Sequence, residues 1–444
     1  MLHLFDTARG VVRPLEPRDP GKVSIYACGP TVYGPPHLGH GRNTLAYDIL
    51  RRYLEWAGFE VTFVSNITDI DDNIIKRAAT EDRPWTEVAE RCEVQWYRAM
   101  AALGIRRPDH DPHATGYVDG MVALIGRLVE RGLAYETGDG VYLDVGQVDG
   151  YGLLAGQPLE SLRSGARIEA NEDKRSPLDF VLWKLAKPGE PSWPAPWGDG
   201  RPGWHTECVV MALDLLGDGF DIHGGGLDLR FPHHENERAQ AVAEGREFAR
   251  LWFHNGMLEI DGEKMSKSLG NVRNLLDLVD EYDPRAFRLL VLQAHYRSPM
   301  EVSDAVLQAA TTSVQRLDSF ARRFATSAAQ VDADPAALER FRAAMDDDLS
   351  TPAAVGLLFE LVRTANADGD EAAAAAALEI AGALGLELRA DGGDIGDDAM
   401  ELARRRDDAR AAKDFVAADA LRDELVALGY EVADTPAGTE LRRA

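Results

Sequence analysis

The sequence predicts an α/β fold: a parallel-sheet domain broken by one insertion, then an α-helical domain and a small C-terminal module. Three observations carry this expectation. Strand-like apolar runs alternate with amphipathic helical runs through the first quarter of the chain, and a further such strand appears near Gly219. Between these stretches the texture changes to a hairpin pattern and Pro- and Trp-rich segments. Beyond about Ser298 the pattern is almost wholly helical. At 444 residues the chain has room for two or three domains with a sizeable core.

"KVSIYACG" (Lys22 to Gly29) reads as a buried strand, and "LAYDILRRYLEWAG" (Leu45 to Gly58) as an amphipathic helix. "FEVTFVSN" (Phe59 to Asn66) is a second strand, and "DNIIKRAAT" opens another helix. Strand, helix, strand at this spacing predicts a parallel sheet with ligands at the strand C-termini. From about Asp111 to Arg201 an insertion is expected, with the helix "VDGMVALIGRLVERG", the hairpin "AYETGDGVYLDV" and the irregular "KPGEPSWPAPWGDGRPG". "GFDIHGGGLD" (Gly219 to Asp228) resumes the sheet. In the helical half, the alanines of "DEAAAAAALEIAGALG" serve propensity and packing. "RADGGDIGDD" (Arg389 to Asp398) is a linker, followed by two short helices and the tail "GYEVADTPAGTELRRA".

Bulk properties exclude several classes. No apolar run approaches the roughly 20 residues of a membrane span. "MLHLFDTARG" has neither a basic start nor an apolar core, so no secretion signal is expected. Three cysteines, Cys28, Cys92 and Cys208, cannot form a disulfide framework, which fits a reducing cytoplasm. A net charge of −26 argues against a generic polyanion binder, although a local channel can sit on an acidic body.

Four constellations bear chemistry. In "RFPHHENERAQ", Pro232 suits a first helical turn, which sets His233 and Glu237 one turn apart on one face. With Cys28 and Cys208 they make a Cys₂HisGlu set compatible with zinc, and His205, His223 and His234 are rival ligands. "CGPTVYGPPHLGHGRN" delivers His37 and His40 to a helix start, a setting suited to phosphate oxygens. "DGEKMSKSLGN" (Asp261 to Asn271) is a Lys/Ser/Gly loop able to clamp a triphosphate, and lacks the Walker A frame. In "NITDIDDNIIKRA", Asp69, Asp71 and Asp72 can cap a helix, while Asn66 and Thr68 sit where a substrate is read. Cys92, in a helical pattern, is expected to pack.

Taken in order, "YACGPTVYGPPHLGHGR", "NITDIDDNIIKRA", "GRPGWHTEC", "DIHGGGLDLRFPHHENERAQ" and "GEKMSKSLGN" resemble the cysteinyl-tRNA synthetases, a class I aminoacyl-tRNA synthetase family. "MDDDLSTPAA" and the C-terminal "ARAAKDFVAADALRDELVALGYEVADTPAGTELRR" extend the resemblance over nearly the whole chain. It implies a Rossmann-like catalytic domain whose first half is residues 1–110, with a connective insertion at 111–201 and the second half at 202–255. A KMSKS-loop and stem-contact region (256–300), a helical tRNA-binding bundle (301–388), a linker (389–400) and an anticodon-recognition module (401–444) follow. It also implies one Zn²⁺ per chain on Cys28, Cys208, His233 and Glu237, binding the substrate thiolate. His37, His40, Lys264 and Lys267 become the adenylation groups, Gly225 and Asp228 part of the ATP site, and Thr68 and Trp204 part of the cysteine pocket. The implied partners are L-cysteine, ATP with Mg²⁺, and tRNA(Cys), for a monomeric cytoplasmic protein with no membrane association. Leu441 stands where relatives often place an aromatic, so tail contacts with the anticodon are expected to differ.

Two alternatives compete. A cysteine ligase of mycothiol biosynthesis shares the zinc and nucleotide motifs but joins cysteine to an amino-sugar inositol. Its chains lack the terminal module, which this sequence retains in "KDFVAADALRDEL" and "DTPAGT". A synthetase-like binding protein without catalysis would have broken histidine or lysine motifs, and here every such position is filled.

Overall fold

The computed structural model describes residues 1–156, 173–260, 263–264, 272–390, 397–435 and 438–443. They divide into two compact units. The first comprises Met1–Thr311, Leu338–Leu357 and Ala383–Leu386; the second comprises Thr312–Ala337, Leu358–Gly382 and Glu387–Ala444.

The first unit opens with the hairpin β1 (His3–Asp6) and β2 (Val11–Pro14) and continues through β3 (Lys22–Ala27), α1 (Leu38–Trp56) and β4 (Glu60–Ser65). After α2 (Asp72–Glu81) and α3 (Trp85–Ala102) comes the inserted segment. It holds α4 (Val118–Glu130) and an antiparallel sheet of β5 (Ala134–Thr137), β6 (Gly140–Leu143), β7 (Phe180–Leu185) and β8 (Gly200–Pro202) in that order. The chain returns through α5 (Trp204–Leu215), β9 (Phe220–Gly226), α6 (Glu235–Glu244) and β10 (Ala249–Asn255). The main sheet has the order β10-β9-β3-β4 and is parallel throughout, with Ile25 opposite Ile222 and Tyr26 opposite His223. Such strands are covered on both faces, and β3 and β9 are buried almost end to end, Asp221 and His223 of β9 included. Their C-terminal ends open on one edge, so loops distant in sequence meet there.

Two local features differ from the sequence reading. Helix α1 starts at Leu38, well before the amphipathic run at Leu45. "HLGHGRN" looks like a loop by propensity, but a Cβ at Gly41 would stand 3.1 Å from Leu275 and Phe287. The glycine lets α1 pack there, and tertiary contact overrides propensity. At the other site, Pro232 does not open a regular helix. Phe231 is extended (φ −143°, ψ 132°), the Phe231–Pro232 peptide is cis, and α6 proper begins at Glu235. A residue before proline is pushed out of the helical region, so regular helix follows the proline.

The unit continues through β11 (Leu258–Ile260), antiparallel to β12 (Glu263–Lys264) and parallel to β13 (Met300–Glu301), with α7 (Leu275–Glu281) and α8 (Pro284–Gln293) between. Helix α9 (Asp304–Ala328) leads into the second unit, which also takes parts of α11 (Thr351–Asp368) and α12 (Glu371–Ala383); α10 (Pro335–Asp346) lies largely in the first. Ala373, Ala374, Ala376 and Ala377 of the alanine-rich helix are buried, as packing residues should be. The C-terminal part pairs α13 (Asp397–Ala411) and α14 (Phe415–Ala427) with the hairpin β14 (Tyr430–Thr435) and β15 (Gly438–Arg443). Their small core holds Leu402, Leu421, Leu425, Tyr430 and Leu441. Leu441 therefore serves packing, and its side chain is not offered to a ligand. Among the described residues no helix is long and apolar enough to cross a membrane.

An ion pair between helices anchors the first unit. Arg288 of α8 donates to Asp48 of α1 at 2.7 Å and to the carbonyls of Leu103 and Gly104, and both charged side chains are almost wholly buried. Burial works against the Asp48 carboxylate, but Arg288 and Arg52 outweigh it and hold its pKa below the usual range. A depressed carboxylate contributes stability above its unfolded pKa and loses it as pH falls through the folded one. Asp48→Asn is expected to destabilise the fold by about 3 kcal/mol, because it strands a buried guanidinium. Urea unfolding followed at neutral pH and near pH 3 checks this, since the difference from wild type should shrink in acid.

Candidate active site and metal centre

The C-terminal ends of β3, β4 and β9 border a cavity of about 490 Å³. The loop after β3 supplies Cys28 and His37, and the first turn of α1 supplies His40; the turn after β4 supplies Asn66 and Thr68. Gly226 of β9, with Asp228 and His233 beyond it, and Trp204 and Cys208 of α5 complete the wall. Two glycines make this convergence possible. A Cβ at Gly29 would fall 1.7 Å from the Asn66 carbonyl, and one at Gly224 equally close to the Phe253 carbonyl. Gly225 is packed beneath the wall against Leu229 and His234 and is not among the lining residues, whereas Gly226 and Asp228 are.

Four donors meet at the cavity floor. Cys28 Sγ lies 3.7 Å from Cys208 Sγ and 3.3 Å from Glu237 Oε1. Cys208 Sγ is 3.8 Å from His233 Nε2, which is 2.7 Å from Glu237 Oε1. Two sulfurs around a tetrahedral zinc stand about 3.8 Å apart, and a sulfur and a nitrogen about 3.6 Å. The set therefore fits a zinc ion, and the short imidazole–carboxylate edge is a hydrogen bond that an ion would open.

A second grouping of Cys28, His223, His234 and Glu237 shares two of these donors. His223 has Nδ1 on the Tyr26 carbonyl at 2.9 Å and Nε2 on Glu237 Oε2 at 2.5 Å. A carbonyl on Nδ1 leaves Nε2 directed at Glu237, so His223 stays a rival to His233 for the shared Cys28 and Glu237. His205, the third rival, meets His233 ring to ring, Nδ1 to Nδ1 at 2.8 Å, and leaves His233 Nε2 facing the thiols. Trp204 stacks on His233 with centroids 4.0 Å apart and stays part-exposed at the cavity wall.

The other end of the cavity carries the stacked imidazoles of His37 and His40, with centroids 3.6 Å apart at the start of α1. Burial drives His40 down to about 3, His37 adding to the effect, and lowers His37 against the pull of Asp228. Both rings are neutral at pH 7 and meet an anion as N–H donors beside a positive helix end. Lys264 lies in β12, where the chain path alone is described, and Lys267 lies outside the described residues.

The acids of "TDIDD" are structural partners. Asp69 accepts from the backbone N–H and hydroxyl of Thr115, Asp71 caps α2 through Asn73, and Asp72 is gripped by Lys184 and Arg201 of the inserted sheet. Cys92 is buried in α3. One functional candidate escaped the sequence reading. Glu207 is 1% exposed and takes the Thr68 hydroxyl at 2.8 Å. In sequence it reads as an acid complementing a first helical turn.

Residues 14–312 match the catalytic domain of the class I (C) tRNA synthetases, and residues 340–389 match the DALR domain. Curated cysteine–tRNA ligases of Halorhodospira halophila and Alkalilimnicola ehrlichii are 47% and 48% identical to the chain, each over the full length of both. The chain belongs to the cysteine–tRNA ligase family. Its fold is shared more widely among class I enzymes. A Mycobacterium tuberculosis methionyl-tRNA synthetase in complex with methionyl-adenylate superposes with a TM-score of 0.59 at 17% identity, covering 81% of this chain and 88% of that one. A leucyl enzyme of Agrobacterium radiobacter gives 0.58 at 13%, covering 84% and 83%.

In this cysteine–tRNA ligase relative the floor donors hold protons that a metal must displace. Burial pushes the Cys28 thiol well up, and its hydrogen bond to Cys208 holds Cys208 down at about 6. Burial opposes the His233 imidazolium, yet Glu237 outweighs it and leaves His233 raised to about 10. At pH 7 Cys28 and His233 thus carry the protons. Zinc titration in weak buffer is expected to release about two protons per metal, with affinity rising up to about 100-fold between pH 7 and 8. An affinity that stays flat over that range contradicts the assignment.

Proposed function

We propose that the chain activates L-cysteine with ATP and transfers it to the 3′ end of tRNA(Cys). The observation that carries this reading is the convergence of Cys28, Cys208, His233 and Glu237 on one point beneath a cavity that bears His37 and His40. The cysteine carboxylate attacks the α-phosphorus of ATP, forming cysteinyl-adenylate and expelling pyrophosphate. The 2′-hydroxyl of the terminal tRNA adenosine then attacks the acyl carbonyl and releases AMP.

When bound, zinc supplies a soft Lewis acid that prefers the substrate thiolate to the hydroxyl of serine, a pair that an apolar pocket separates by only about 100-fold. We assign its retention to Cys28, Cys208, His233 and Glu237. Trp204 and Thr68 shape the cysteine pocket. His37 and His40 donate to phosphate oxygens as charge grows in the transition state, and Asp228 belongs to the adenosine region, with Gly225 packed behind its wall. Lys264 and Lys267 complete the adenylation groups through the loop that resembles the family's lysine motif. Mg²⁺ accompanies ATP. Three unpaired thiols support a reducing cytoplasm, and we take the chain to act as a monomer.

Cysteine-dependent exchange of labelled pyrophosphate into ATP is the direct test. Product analysis with tRNA against an amino-sugar inositol separates the two ligase readings. Cys208→Ser is expected to lower cysteine-dependent exchange at least about 100-fold. A variant that still rejected serine as wild type does would remove the metal as discriminator. On an acidic protein, base readout must outweigh bulk attraction. Affinity for tRNA is therefore expected to be modest and to drop at least about tenfold between 50 and 200 mM salt. Filter binding at the two concentrations checks it.

A further inference from the structure

The amino-acid end of the cavity contains a hydrogen-bond chain whose direction can be read from one end to the other. The backbone N–H of Gly29 donates to Asn66 Oδ1 at 3.0 Å, which fixes the amide so that its nitrogen faces Thr68. Asn66 Nδ2 then donates to Thr68 Oγ1 at 3.2 Å. Thr68 in turn donates to Glu207 Oε2 at 2.8 Å. With the carboxyl ionised or its proton on Oε1, that oxygen is the acceptor; a proton on Oε2 is the one state that would reverse the bond. A hydroxyl has one proton and two lone pairs. The proton is committed to Glu207 and one lone pair to Asn66, so a single lone pair is left.

Thr68 lines the cavity and Glu207 does not. The remaining direction at Thr68 Oγ1 thus offers the substrate an acceptor and no donor. Within a bound amino acid the ammonium group matches an acceptor, and the carboxylate does not. We propose that Glu207 is a positioning residue that turns the Thr68 hydroxyl so that it accepts from the α-ammonium group of the substrate. This rests on the reading of the cavity as a cysteine site. Complementing the dipole of α5 would need no burial, and an exposed glutamate would serve equally well. Glu207 is instead 1% exposed and spends its carboxyl on Thr68.

The test compares two thiols on the zinc-loaded, full-length protein by calorimetric titration under anaerobic conditions, at equal metal content. L-Cysteine carries the ammonium group, and 3-mercaptopropionate lacks it but keeps the thiol and carboxylate. Wild type should bind cysteine more tightly. Glu207→Leu should weaken cysteine binding about tenfold and leave mercaptopropionate unchanged, the size of one hydrogen bond to a charged group. Glu207→Gln, which keeps an oxygen acceptor, should restore most of the difference. Thr68→Val should show the same selective loss, and it decides the matter should Glu207→Leu fail to fold. Equal weakening of both thiols, or an unchanged preference in Glu207→Leu and Thr68→Val, overturns the proposal. A wild-type protein that binds neither thiol overturns the cysteine reading itself, and is told apart from the first failure by that result.

Discussion

Everything at the cavity floor follows from burying one carboxylate. Glu237 has no solvent exposure, and an unpaired carboxylate there would cost several kcal/mol. The fold meets this by setting two imidazoles against it, His233 on one oxygen and His223 on the other. Together they outweigh burial and hold its pKa well below the usual range. His223 is itself fixed by the Tyr26 carbonyl, and His233 by His205. The fold thus brings the four donors together by itself, with one imidazole–carboxylate hydrogen bond left for an ion to open.

The two ends of the cavity work by different physics. At the floor, charge is concentrated and tied to soft donors, which suits selection of one side chain. At the mouth, the stacked histidines are stripped of charge by burial and keep only their directed N–H groups. A neutral donor beside a helix terminus stabilises charge as it develops without holding a polyanionic product too tightly. Under the proposed function, selectivity and turnover fall to separate residues within one space.

Much of the scaffold was legible in the sequence, and the reasons are local. Strands β3 and β4 carry alternating or apolar β-branched and aromatic residues, β9 ends in a run of glycines, and the hairpin of β5 and β6 carries its own turn signal. The motif places His37 and His40 at a helix start, while propensity alone does not show the helix there, because Gly41 answers to Leu275 and Phe287, residues far along the chain. Histidine ranking was hidden for a similar reason. His205, His223 and His234 are all close to the four donors, and their spacing along the chain does not rank them. The donor set comes from three separate segments, so the residues alone offered it among rivals and the family resemblance singled it out. Glu207 looked like a helix-start acid because its partner, Thr68, lies on another strand's loop.

The grip of Lys184 and Arg201 on Asp72 has a mechanical meaning. Asp72 opens α2 four residues beyond Thr68, while its two partners stand on neighbouring strands of the inserted sheet. Any tilt of that sheet pulls on the segment that frames the amino acid. The insertion therefore acts as a strut, coupled to the start of α2 through these two basic side chains.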